Sequence, residues 1–278
     1  MRAGLPYFDI LLDGLEQGKP GVTQAFGAHV HWGYWGAGDR VDDSVAGFAA
    51  AAERMSAAVA EAASARDGQR ILDVGCGFGG TIGNLDRRLE DVALVGLNID
   101  PRQLDRARLH VSAREGNTIS FVEGDACALP FPDASFDTVL ALECAFHFPS
   151  RRRFFAEAAR VLRPGGRLAV SDFVPAKIAA PALRFQDLVF GRYMARVSGP
   201  TDIQITREQY QALGRDAGLR ADPILDITEN TLPTYAALRR VIKEAGTQVG
   251  TALFGAVALE AVSRLRLLRY LVLPFTKP

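Results

Sequence analysis

ILDVGCGFGG, residues 71–80, reads as an apolar strand that ends at an acidic residue, Asp73, and runs through Gly75, Gly77, Gly79 and Gly80 into a helix. Glycines at such a turn permit positive φ and let a ligand approach the backbone closely. Open α/β sheets bind their ligands at the carboxyl ends of their strands, so this turn predicts a binding site after the first strand. Gly75, Gly77 and Gly80 also satisfy GxGxxG, the dinucleotide fingerprint, so the stretch alone leaves a nicotinamide cofactor open.

Moving outward, short apolar runs alternate with helical stretches. The runs are RILDVG (70–75), ALVGLN (93–98), ISFVEG (119–124), FDTVLAL (136–142) and RLAVSDFV (167–174), with helices near 80–90, 101–114 and 151–162 between them. Runs that are apolar throughout mark strands buried on both faces, and their alternation with helices predicts a parallel, doubly wound α/β sheet. Ahead of the core, residues 1–27 read as a helix and a turn, and the Ala-rich segment 41–65 as a helix. Beyond it, 175–205 is irregular, with Pro175, Pro181 and Pro200. A capping box, Thr206 with Gln209, then opens a helix over 206–217. A strand near 220–229, helices within 232–265 and a last strand near 268–274 complete the chain, which shows no internal repeat and no low-complexity tract.

Three further landmarks follow the glycine turn. The second strand ends in Asn98-Ile99-Asp100-Pro101, where a ribose-binding side chain belongs. The third runs into GDACALPFPDASFDTVLAL (124–142), and RVLRPGGRLAVSD (160–172) carries a Pro-Gly-Gly turn into the fifth. These four features in this order resemble the class I S-adenosylmethionine (SAM)-dependent methyltransferases, tightly over 70–175 and more loosely over the whole chain. The resemblance implies a Rossmann-like, seven-stranded, mostly parallel sheet with an N-terminal helical cap (1–66), a SAM-binding core (67–175), a substrate lid after strand five (176–205) and a C-terminal part of the core (206–278). It implies that Gly75 and Gly77 hold the amino-acid part of SAM, Asn98 the ribose, and Asp125 with the Ala126 backbone the adenine. Asp73, Cys76, Ile99, Gln103, Glu143 and Tyr34 complete the cofactor set. Asn98 departs from the family, which usually has an acidic residue there. Asp100 is the alternative, but before Pro101 it reads as a helix N-cap.

AHVHWGYW (28–35) resembles a segment of small-molecule methyltransferases, including those acting on macrolide and indolocarbazole sugars and the related sarcosine and tocopherol enzymes, as does ALECAFHFPSRRRFFAEA (141–158). In such relatives the N-terminal segment folds over the SAM site, which makes Tyr34 and Trp35 candidate walls around the methyl group; pinning the cap to the core is the alternative role. His29 and His31, two apart, suit a pocket wall or a structural hydrogen bond better than a metal, for which the sequence shows no ligand set. His147 follows strand four at the expected acceptor edge and Asp172 ends the neighbouring strand. A His oriented by a carboxylate can take a hydroxyl proton, and imidazole is available as a base at neutral pH. Phe146, Trp35, Phe185 and Tyr193 are the candidate acceptor contacts, with Phe190 and Met194 on the same helical face as Tyr193.

The bulk properties agree with a small-molecule enzyme. The chain has 278 residues, 48% of them apolar and 23% charged, enough for one packed domain. Its 32 basic and 32 acidic residues leave no net field to gather nucleic acid or an anionic membrane. Three scattered cysteines read as reduced thiols of a cytoplasmic protein. The N-terminus has neither a signal peptide nor a span, and the C-terminal LLRYLVLPF is too short to cross a bilayer. The oligomeric state is not legible. The resulting expectation is O-methylation of a hydroxyl on a natural product or sugar-like compound. N- or C-methylation on the same scaffold is the first alternative, and a nicotinamide oxidoreductase the distant one.

Overall fold

The computed structural model describes residues 6–38, 41–179, 202, 204–245 and 249–278. Two short helices, α1 (Pro6–Glu16) and α2 (Pro20–Phe26), precede the long α3 (Val45–Ala62), whose N-terminus is capped by Ser44 accepting from the Gly47 amide. The alternating core follows: β1 (Arg70–Val74), α4 (Gly80–Arg88), β2 (Ala93–Asn98), α5 (Pro101–His110), β3 (Thr118–Glu123), β4 (Phe136–Leu142), α6 (Arg151–Val161) and β5 (Leu162–Pro175). Then come α7 (Arg207–Asp216), β6 (Arg220–Ala221), β7 (Leu225–Asp226), α8 (Thr228–Thr231), α9 (Pro233–Ala245), α10 (Val249–Arg264) and β8 (Leu268–Thr276). The capping box expected at Thr206 and Gln209 is present and starts α7. No helix among the described residues is long and apolar enough to cross a membrane.

The strands form one sheet in the order β3-β2-β1-β4-β5-β8-β6, with β7 also on β8. Pairings among β1 to β5 are parallel, and β8 runs antiparallel to its neighbours. The sheet therefore has eight strands where the sequence predicts seven. The run expected near 220–229 breaks into two two-residue strands on either side of Pro223, which has no N–H for a ladder. The fifth strand begins at Leu162, with a register shift between Phe136 and Thr138, and so takes in the Pro-Gly-Gly turn.

Side-chain alternation along each strand sorts two cores. Leu72, Val74, Val95, Leu97, Val139, Leu168 and Val170 face Phe154, Phe155 and Tyr210 of α6 and α7. Ile71, Leu94, Leu140, Ala169 and Phe173 face Met55, Val59, Ile82 and Leu85 of α3 and α4. With both faces covered, the carboxyl ends of the parallel strands are what remain for ligand. Within the first core Gly214 of α7 lies on Phe275 of β8, and a Cβ there would sit 2.4 Å from the ring. Gly214→Ala should therefore destabilise the fold by about 1–2 kcal/mol, overpacking outweighing the better helix propensity of Ala. The check is a lower urea midpoint with an unchanged m-value.

Candidate functional site

The parallel registers put Asp73 beside Gly96 and Leu140, so the ends of β1, β2 and β4 converge. They frame a cavity of about 180 Å³. At its floor Asp73 is 2% exposed, and no described group donates a hydrogen bond to its carboxylate. Burial pushes it up from 3.8 to about 7. The chain then turns sharply: Gly75 has φ +75, and the amides of Gly75 and Cys76 both donate to Leu97 O at 2.7 and 3.0 Å. A Cβ on Gly75 would lie 2.7 Å from Cβ of Cys144. Helix α4 opens after left-handed Gly79 with no side-chain cap, and its first residues, Gly80 and Thr81, line the cavity. The free amides of such a helix start favour anionic groups.

At the end of β2, Asn98 is buried and lines the cavity. Its amide donates to Gln103 Oε1 at 2.9 Å and its carbonyl oxygen accepts from the Asp100 amide at 3.2 Å. Asp100 is indeed the N-cap of α5, accepting from the Arg102 amide, yet it also faces the cavity. Burial raises its carboxyl, but Arg102 outweighs that and holds it below its usual value. Ile99, Gln103, Cys76 and Gly77 line the same space. So do Asp125 and Ala126 after β3, Asp125 accepting from the Cys127 amide at 2.8 Å.

At the end of β4, Glu143 stands in left-handed backbone, φ +46. Its Oε1 accepts from the Trp32 amide at 2.7 Å and from the Tyr270 hydroxyl. Burial raises this carboxyl to about 8 against those two hydrogen bonds. A 3₁₀ turn, Ala145–His147, then carries His147 to the cavity wall.

Asp172 is not arranged as a partner for His147. Fully buried and outside the cavity lining, it sits on the face of β5 toward α6 and α7. Arg151 Nη2 lies 3.4 Å from its Oδ2, the Tyr210 hydroxyl donates to the same oxygen, and the Phe173 amide to Oδ1 at 2.7 Å. Burial lifts Asp172 to about 6 in spite of the Arg151 charge. Arg151 also holds Asp202 at 2.7 Å, and the Asp202 amide bonds Phe146 O at 2.8 Å, next to His147. The cluster ties Asp202 to the turn bearing His147.

The aromatics of the cap also differ from expectation. Trp35 is buried among Ala25, Val45, Phe48 and Ala237, away from the cavity lining, and so pins the cap to the core. Tyr34 and Phe146 pack on the core over α3 and α4 and are likewise absent from the lining. Phe185, Phe190, Tyr193 and Met194 lie outside the described residues. The wall from the cap comes instead from His29 and His31. His31 bonds Trp32 O through Nδ1 at 3.0 Å and His29 Nδ1 through Nε2 at 3.0 Å, and burial lowers it to about 3, so it is neutral. His29 Nε2 lies 3.0 Å from Glu53 Oε1, on α3. Sequence reasoning also missed Phe8, which α1 brings to the cavity and edges against Phe78 at 6.1 Å. No local motif marks Phe8, because its place depends on how α1 folds back.

A family model described as a methyltransferase domain matches residues 72–170. The chain is 36% identical over 219 residues to the 27-O-demethylrifamycin SV methyltransferase of Amycolatopsis mediterranei (strain S699), covering 77% of this chain and 75% of that one. It is 30% identical over 213 residues to the erythromycin 3''-O-methyltransferase of Saccharopolyspora erythraea, covering 75% and 67%. Among solved structures, the geranyl diphosphate C-methyltransferase of Streptomyces coelicolor A3(2), determined with S-adenosyl-L-homocysteine, superposes with a TM-score of 0.71 at 16% identity over 96% of this chain and 98% of that one. That last likeness concerns the fold alone.

Asp73 gives the empty protein a pH signature. Its carboxyl titrates near 3.8 when unfolded and near 7 when folded, so between those values only the unfolded chain has lost the proton. Stability therefore falls as pH rises through that window. Asp73→Asn removes the effect. Its stability relative to wild type should climb by on the order of 1–3 kcal/mol from pH 4 to 7 and level off above. Urea midpoints at pH 4, 5.5, 7 and 8 measure this, and a pH-independent difference would contradict it.

Proposed function

This chain belongs to the methyltransferase family, and from that premise we propose that it transfers a methyl group from SAM to a hydroxyl of a small natural product. One observation carries the cofactor reading: around a single cavity stand the glycine turn, Asn98 and Asp125 at successive strand ends, and beneath them Asp73, buried with no donor of its own. A buried carboxylate without a partner is costly unless a cation comes to it. The α-ammonium of SAM is such a cation, and the uncapped amides at the start of α4 suit its carboxylate. Asn98 and Asp100 are the candidates for the ribose hydroxyls, and Asp125 with Ala126 for the adenine edge. The argument for oxygen as the attacking atom is that both relatives described above are, by name, enzymes of O-methylation.

When bound, SAM supplies a methyl group on a sulfonium that is already a good leaving group. The protein's share is then alignment, which can supply about 7–11 kcal/mol of the barrier. His147, at the wall where β4 ends, is our candidate to take the hydroxyl proton during attack. On this reading His147 and Phe148 border the acceptor, His29 lies against Gly80 at the start of α4, and no lysine or arginine is among the described lining. A neutral, partly apolar acceptor suits such a wall, and the balanced net charge offers no attraction for nucleic acid. All three cysteines are free thiols, in keeping with a cytoplasmic setting.

Calorimetry with SAM and S-adenosylhomocysteine tests the cofactor, and binding of NADH in their place would overturn it. A panel of hydroxylated macrolides and ansamycins with CD₃-labelled SAM tests the acceptor, since mass spectrometry locates the labelled atom. On an acceptor so found, His147→Ala should lower kcat about 10²–10⁴-fold while SAM affinity stays within about twofold. Unchanged turnover across pH 6–9 would remove His147 from the role of base.

A further inference from the structure

Glu143 is built into the cavity at some cost. Left-handed backbone strains a residue with a Cβ by about 1–3 kcal/mol, and here it sets the side chain at the cavity wall. Oε1 takes both hydrogen bonds, from the Trp32 amide and the Tyr270 hydroxyl, and Tyr270 in turn reaches Ser171 Oγ at 3.4 Å. Oε2 accepts from no described group. The other titratable groups on this wall are Asp73, Asp100, Asp125, Cys76, Cys144, His29, His31 and His147, with Asp172 and Tyr270 behind it. His31 is neutral, Asp100 is paired with Arg102, and Asp125 accepts from a backbone amide. Asp125 also lacks a cation but is exposed, so the carboxylates shielded from water that face the cavity without one are Asp73 and Glu143. SAM carries two cationic centres, the α-ammonium and the sulfonium, whereas its demethylated product keeps only the first.

Resting on the cofactor reading above, we propose that Glu143 is the counter-charge of the sulfonium, ionised while SAM is bound and protonated when the cavity is empty or holds the product. The site thereby distinguishes fresh cofactor from spent product. Burial already keeps Glu143 neutral at pH 7, and a nearby positive charge favours its ionised form. Binding of SAM then expels a proton from Glu143 to solvent. In the transfer, the acceptor oxygen bonds the methyl carbon, the carbon–sulfur pair stays on sulfur, and the hydroxyl proton goes to His147. With the sulfonium charge gone, Glu143 takes one proton back from solvent and His147 returns one, so the cycle releases a single proton overall.

The experiment is calorimetry of the full chain with SAM and with S-adenosylhomocysteine at pH 7, in two buffers of different ionisation enthalpy. Proton release from Asp73 is common to both ligands and cancels in the comparison. Wild type should release up to about one proton more with SAM than with the product. Glu143→Gln, which keeps an acceptor for the Trp32 amide, should abolish that excess and weaken SAM about tenfold, with product affinity within about twofold. The last value also reports that the variant is folded. Excess release that survives in the variant, or is missing from wild type, overturns the proposal, as does equal weakening of both ligands. If wild type binds neither ligand, the cofactor reading itself falls, and the proposal with it.

Discussion

The site depends on how closely two strand ends can approach. β1 and β4 are hydrogen-bonded neighbours, and the turns that leave them meet where Gly75 lies against Cys144. Any Cβ at 75 would occupy the space of the Cys144 side chain, and the φ of +75 would resist one in any case. That contact lets both turns curl over the same edge. Asp73 and Glu143, 70 residues apart in sequence, consequently face one cavity. The two cores on the faces of the sheet serve the same end, since helices on both sides leave the carboxyl edge as the open surface of the parallel strands.

The buried acids fall into two kinds, and the difference separates structure from chemistry. Asp172 has everything a buried carboxylate needs: Arg151, the Tyr210 hydroxyl and a backbone amide. Its charge is met inside the fold, and its work is to hold α6, α7 and Asp202 together. Asp73 has no such partner, and Glu143 has hydrogen bonds but no cation. Leaving such groups unmatched costs stability in the empty protein, and proteins tolerate that cost where a ligand completes the arrangement. The same bookkeeping explains why Asp172 is a poor companion for a catalytic histidine. A carboxylate already engaged by a guanidinium and a phenol has little left to offer an imidazole.

Much of this was readable from the sequence because the cofactor side is made of local pieces. Strand, glycine turn and helix are contiguous at 71–88, and the Asn98–Gln103 pair lies within one turn of α5. Such units reveal themselves through apolar runs, caps and turn residues, so the sheet and the cradle could be anticipated. Sequence and structure part company where position depends on distant partners. The end of a strand says which edge a residue occupies, but its face follows from the pleat. Asp172 shares the parity of Val170 and Val174 and therefore points at α6 and α7, away from the edge that its place in the strand suggested. Tyr34 and Trp35 look alike as aromatic candidates in sequence, and only the packing of α2, α3 and α9 shows that Trp35 is a core residue.

The cap shows why family is legible and acceptor is not. Residues 32–35 form no strand, yet each backbone amide is taken: Trp32 by Glu143, Gly33 by Thr234, Tyr34 by Ala51 and Trp35 by Asn230. Four donors go to the turn after β4 and to α9, α3 and α8, places spread over most of the chain. A wall assembled in this way can be altered by changing any of those elements without disturbing the glycine turn. The glycine turn has no such freedom, because its residues are successive and its backbone conformation is set by positive-φ glycines. Relatives that share the cradle can thus differ in what they methylate. Under the proposed reading the acceptor is selected by the space beside His147, which no short stretch of sequence records.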